Sequence, residues 1–245
     1  MRPTTVTTFC TTLFAIIATT PSFAIDKIYS PYVEEGEFSV EYSGNRTSDN
    51  HHEKNNVQEH QMSVEYGVNS WWQIEAYGNF EKQPDERFKM SGIEWENRFQ
   101  FTEPGAHWVD TGLLVSYAHA IQKDDPDAVE IKALLAKDTG RFSHLANIGF
   151  VQGLGNHASG GPDYAFLWST RYRYNEYAQP GFEIQSDLGA DQNLQHFGQQ
   201  EHYAGPALYG RLFGHLKYEA AYLFGVSDAS AQSASRVLLE YEMHF

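Results

Sequence analysis

Histidines, paired serines and acidic runs are the residues whose types could do chemistry in this 245-residue chain. His51 and His52, with His60, offer neutral imidazoles of the kind that bind Zn²⁺ or Cu²⁺. Their spacing is poor for ligation, and a stretch rich in Asn, Glu and Lys reads as a solvated loop. Ser143 with His144, and Ser169 with His202, could supply the hydroxyl and the base that nucleophilic hydrolysis needs. No Gly-x-Ser-x-Gly elbow frames either serine. Asp124-Asp125-Pro126-Asp127 could hold a divalent cation, yet such a run reads first as a solvated turn. Gly153, Gly155, Gly160 and Gly161 lack the strand-to-helix context of a phosphate cradle and read as a flexible connection.

A larger set is defined by parity. Glu94, Glu96, Arg98, Asp110, Glu130, Lys132, Arg171, Arg173, Glu183, Asp187, Lys217, Glu219, Arg236, Glu240 and Glu242 all fall on the polar side of segments that alternate polar and apolar residues. Lining a pore, both signs together would create a transverse field that tunes ion selectivity. The competing reading is an ion-pair network that plugs a narrow lumen.

These residues need strands to position them. A strand sends successive side chains to opposite faces, whereas a helix repeats every 3.6 residues. Val237, Leu239, Tyr241, Met243 and Phe245 share one face of the last segment, against Arg236, Glu240, Glu242 and His244. The same alternation predicts strands near 36–44, 60–68, 71–80, 89–101, 108–119, 128–136, 142–152, 164–174, 181–190, 201–212, 215–226 and 235–245. That makes about 12 strands, with ten as the alternative count. Short connections at 68–70, 137–141 and 213–214 exchange with longer polar ones at 45–58, 153–163 and 192–200. This is the pattern of short periplasmic turns and long external loops in a membrane barrel.

Composition narrows the class. Acidic side chains number 32 against 17 basic ones, for a net charge of −15, which excludes nucleic acid as a partner. Mean hydropathy is −0.51, yet aromatic residues make up 15% of the chain. A membrane barrel reconciles the two, because only its lipid face is apolar and aromatics gather at its interfaces. In a soluble barrel the rings would have to crowd the interior. Trp71, Trp72, Trp108 and Tyr241 fall near predicted strand ends, where amphipathic rings prefer the headgroup level.

Residues 1–24 read as a signal peptide. Arg2 is the only charge, the apolar core of Leu13 to Ala18 is too short to span a bilayer, and Ser22-Phe23-Ala24 offers a cleavage site. Cys10, the only cysteine, lies upstream of that core, so residues 25–245 form no disulfide and no cysteine-based site.

The closing strand, Val237 to Phe245, resembles that of bacterial outer-membrane β-barrel proteins, which alternates and ends in an aromatic residue. The resemblance implies an assembly signal carried by Tyr241, Met243 and Phe245 and read by the barrel assembly machinery. Ile28-Tyr29-Ser30-Pro31-Tyr32-Val33-Glu34-Glu35-Gly36-Glu37 and Phe101-Thr102-Glu103-Pro104-Gly105-Ala106-His107-Trp108 are similar to small uncharacterised proteobacterial barrels, some labelled as transporters.

The expectation is therefore an all-β chain, a transmembrane antiparallel β-barrel of about 12 strands in an up-and-down meander, exported to the outer membrane of a Gram-negative cell. Its partners would be outer-membrane lipid, lipopolysaccharide, the assembly machinery and a small solute. Without a nucleotide-binding motif or a plug domain it would be a passive, narrow channel with a mixed-charge lumen, needing no cofactor, no metal and no catalytic residue. The alternatives are an outer-membrane lipid hydrolase or deacylase, and a structural or adhesive barrel with a blocked lumen whose loop 45–58 does the binding.

Overall fold

The computed structural model describes residues 25–156, 158, 161–190 and 196–244. The expected signal peptide and Phe245 lie outside the described residues. Alternation becomes twelve strands: β1 (Glu37–Ser48), β2 (Gln58–Asn69), β3 (Trp72–Lys82), β4 (Lys89–Gln100), β5 (Asp110–Ala120), β6 (Asp127–Thr139), β7 (Phe142–Leu154), β8 (Asp163–Tyr172), β9 (Gln179–Ala190), β10 (Glu201–Leu212), β11 (Leu216–Gly225) and β12 (Ser233–His244). Each pairs antiparallel with its neighbours in sequence. β1 then pairs β12 from Glu37 opposite His244 to Ser48 opposite Ser233, which closes the barrel and leaves no free edge.

The seam defines two ends. The proximal end carries the start of β1, the end of β12 and the connections 70–71, 101–109, 140–141, 173–178 and 213–215. The distal end carries the connections 49–57, 83–88, 121–126, 155–162, 191–200 and 226–232. The first distal loop is shorter than expected, because β1 and β2 stay paired as far as Arg46 opposite Gln58. The connection 101–109 is long although it lies at the end of short turns. Asp110 Oδ2 holds it by accepting from Gly105 N at 2.8 Å, and Thr102 Oγ1 by accepting from Thr111 N at 2.9 Å.

Polarity is inverted relative to a soluble β-sandwich. Val64, Ile93, Trp95, Ile131, Ile148, Phe182, Phe224 and Leu239 are exposed on the outer wall, with Val64 and Trp95 each 48% exposed. Glu75, Glu96, Arg98, Lys132, Glu183, Arg236 and Glu242 are buried inside. Water would oppose that outer wall at about 25 cal/mol per Å² of apolar surface, whereas hydrocarbon accepts it. Strand pairing around a closed ring also satisfies the backbone without solvent. Aromatics crowd the proximal rim, where Trp71, Phe101, Trp108, Phe142, Tyr174, Tyr177, Phe213 and Tyr241 are all exposed.

The interior is not empty. Residues 25–36, which sequence alternation leaves unassigned, run as an extended strap through the lumen, from the β10–β12 wall near the distal end to the start of β1. Ile25 packs with Tyr203, Ala207, Leu223 and Ala234, and Tyr29 with Leu114 and Leu134. At the proximal end Gly36 N donates to Gly67 O at 2.8 Å. The expectation was of a barrel without a plug domain; what occupies the lumen is twelve residues ahead of the first strand. Pro31 keeps them out of any central strand, because proline cannot donate to a ladder.

Candidate functional site

The lumen is built by one parity of every strand, and most of the charged residues expected there are inside. Glu96, Arg98, Asp110, Lys132, Glu183, Arg236, Glu240 and Glu242 are buried, while Glu94 and Glu130 line a cavity at the distal end. Arg173 lies elsewhere. β8 ends at Tyr172, and the Arg173 guanidinium, 40% exposed, pairs with Asp138 at the proximal rim.

Inside, the charges condense into clusters rather than opposing one another across open water. Arg236 lies 2.5 Å from Glu183 and 3.0 Å from Glu219. Tyr209 donates to the same Glu183 at 2.7 Å, and Arg171 sits over the Tyr209 ring at 5.8 Å. Near the proximal end Lys217 pairs with Glu240 at 3.5 Å and with Glu242, which Arg211 also reaches at 2.6 Å. Distally, Asp187 Oδ1 accepts from Gly189 N at 2.9 Å.

The remaining clusters are completed by the strap. Lys27 lies 2.7 Å from Glu41 and 3.8 Å from Glu75. Asp26 pairs with Lys132 at 2.5 Å, and Lys132 also meets Glu130 at 2.8 Å. Tyr32 donates to Asp110 at 2.7 Å, and Arg98 donates to Ser30 O at 3.2 Å while pairing with Glu65 at 3.0 Å. Two lumen glycines admit the strap's backbone. A Cβ on Gly67 would lie 1.9 Å from Glu34 O, and one on Gly112 would lie 2.9 Å from the Pro31 side chain.

Beyond the strap's distal end lies a cavity of about 460 Å³ whose walls include Glu53, Glu59, Glu81, Glu94, Asp125, Glu130 and Glu201, with Asp26 at its floor. Lys27, Lys54 and Arg236 are the only Lys or Arg side chains on it among the described residues. Carboxylates dominate this vestibule, so its field attracts cations. Above it, Asp49 ties two distal loops together, accepting from His51 N at 2.6 Å and Gln232 N at 2.8 Å. Those backbone donors, His51 first, hold the Asp49 carboxyl below its ordinary range despite some desolvation.

The other constellations do not assemble. His51 bonds Asp49, His52 pairs with Asp85, and His60 bonds Tyr42, so the three face different partners. A different trio meets at the proximal rim, where His244 Nε2 lies 2.7 Å from Glu34 and 3.3 Å from Glu37 and joins the strap to the seam. Ser143 and His144 point to opposite faces of β7, as adjacent strand residues must. The His202 ring bonds Gln200 at 3.0 Å and stacks on Phe197 rather than meeting Ser169. Parity did not single out Asn45, Tyr77, Gln100, Asn147 and Gln185, uncharged lumen residues that bond the strap. The signal available for them was lumen parity itself, read without regard to charge.

No family model matches this chain, and no curated protein matches it by sequence. Solved structures do resemble it. One titled "KdgM porin" matches with a TM-score of 0.57 at 9% identity, over 84% of this chain and 99% of that one. A structure titled "NanC porin structure in rhombohedral crystal form" matches with a TM-score of 0.54 at 13% identity, over 84% and 99%. At such identities the likeness is one of fold: a closed, porin-like barrel of twelve antiparallel strands.

Proposed function

We propose that this chain is an outer-membrane channel of porin type that admits small, positively charged solutes and is held closed by its own N-terminal strap. The observation that carries the reading is the inverted barrel with an acidic distal vestibule: an apolar outer wall suited to lipid around a charged lumen whose mouth is rich in carboxylates. The proximal aromatic rim would lie at one membrane interface, and an even strand number brings the start of β1 and the end of β12 to the same end; with that end periplasmic, the vestibule would face outward. A porin-like fold supports transport without naming a solute.

Planar-bilayer recording tests the reading. Intact protein should show low open probability. A variant lacking residues 25–33 should conduct, with a reversal potential in a KCl gradient that reports preference for K⁺ over Cl⁻. Anion preference would remove the cation reading, and silence of a folded strap-less barrel toward every small ion would remove the channel. In the second case the filled lumen favours a structural barrel whose distal loops do the work.

A further inference from the structure

The wall holds the strap by its main chain as well as by its side chains. Asn147 clamps Tyr29 from both sides, its Oδ1 accepting from Tyr29 N at 2.7 Å and its Nδ2 donating to Tyr29 O at 2.9 Å. Gln185 accepts from Asp26 N at 2.7 Å and Gln100 from Val33 N at 2.8 Å. Asn45 donates to Ile25 O at 2.9 Å, and Arg98 to Ser30 O. Side-chain amides spaced along an extended backbone do what the edge of a sheet does for an added strand: they bind peptide groups whatever the residues are.

A second, independent observation concerns charge. Glu41 and Glu75 are buried against the Lys27 ammonium at 2.7 and 3.8 Å, and the buried Glu65 and Glu240 also act on it, with Arg98 and Lys217 as the wall cations that pair with these two. Glu96 is 1% exposed, and its Oε1 has no hydrogen-bond partner. When the strap leaves, Lys27 leaves with it, and the buried Glu41 and Glu75 lose their cation. Buried carboxylates left in that state recruit a cation or take up protons.

We propose that the lumen is a receptor for linear peptides in extended conformation that carry a basic residue, with the strap as its built-in ligand. As the solute class of the channel this rests on the proposed function; as a binding site it stands apart from any current. A free amino acid is too short to meet Asn147, Gln185 and Gln100 together. A polyamine satisfies the carboxylates but offers no carbonyl to Asn147 Nδ2.

The test is a titration in detergent of the variant lacking residues 25–33, using a fluorescently labelled nonapeptide that copies those residues and anisotropy as readout. Saturable binding is expected. The Lys27→Glu version of the peptide should bind about tenfold or more weaker, as expected for losing a desolvated charge pair. Unlabelled spermine should displace the nonapeptide only at higher concentration than an alanine nonapeptide with one lysine at its third position. Should deletion prevent folding, the full-length Lys27→Glu variant, whose strap brings a further carboxylate into the cluster, should bind the same nonapeptide better than the intact chain does. Equal affinity for the two strap peptides, displacement by spermine at the concentration of the alanine–lysine peptide, or no saturable binding by a folded variant would each overturn the receptor. A barrel that binds the peptide yet never conducts would overturn the channel alone, and one that conducts without binding would overturn the receptor alone.

Discussion

Gly67→Ala tests whether the strap is held against the wall. The added Cβ would meet Glu34 O at 1.9 Å and Glu34 C at 2.9 Å, both backbone atoms that no rotamer change can move away. Ordinary contact begins near 3.4 Å, so about 1.5 Å of separation must be found, and overpacking of this kind costs about 1–3 kcal/mol. If that cost falls on strap docking, the undocked population rises roughly 5- to 150-fold. Lys27 lies inside the barrel with its side chain 11% exposed, where trypsin cannot follow, so cleavage after Lys27 reports strap exit. We expect faster cleavage and a higher open probability in bilayers. Gly78→Ala is the control, because a Cβ there meets only side-chain atoms at 3.6 Å. Unchanged cleavage and unchanged conductance, with folding intact, would refute the reasoning. The bulge between Gly67 and Asn69 would then have absorbed the methyl group.

Arg236→Met removes the cation shared by Glu183 and Glu219 and leaves Glu183 buried with Tyr209 and Gln185 as its donors among the described residues. We expect a loss of about 3–5 kcal/mol in urea unfolding, partly restored by Glu183→Gln. Val64→Arg places a charge midway along the exposed face of β2 and should cost about 2–4 kcal/mol of folding in lipid vesicles, with a much smaller effect in detergent that lets the side chain reach water. The link between the distal loops at Asp49 depends on its carboxylate, whose folded value lies below the ordinary 3.8. Its contribution is therefore complete above that ordinary value and is lost as pH falls through the lower, folded one. Hydrogen exchange at the Gln232 amide should accelerate only in that acid range, and Asp49→Asn should weaken the dependence.

Alternation between lipid-facing and lumen-facing side chains is local, so twelve strands, their order and nearly all of their parity could be read residue by residue. Leu238 breaks the pattern in sequence, yet it is buried inside, where wall and strap fill the lumen too tightly to leave it in water. Arg173 shows the limit of parity, since a face means nothing one residue beyond the end of β8. The charged lumen residues were legible as a set, but not their pairing: Glu183 and Arg236 are 53 residues apart in sequence, on strands with two others between them in the ring. The strap was invisible for a related reason. Its residues show no period, because successive ones meet different strands around the ring, Asp26 β6 and β9, Lys27 β1 and β3, Tyr29 β7 and Tyr32 β5, and contacts so scattered leave no repeat that its own sequence could display. What the sequence determined by itself was the wall, since a strand's two faces need only its own residues. What fills the wall was decided by closure of the barrel, which alone brings Asn147, Gln185, Glu41 and Arg98 around one extended chain.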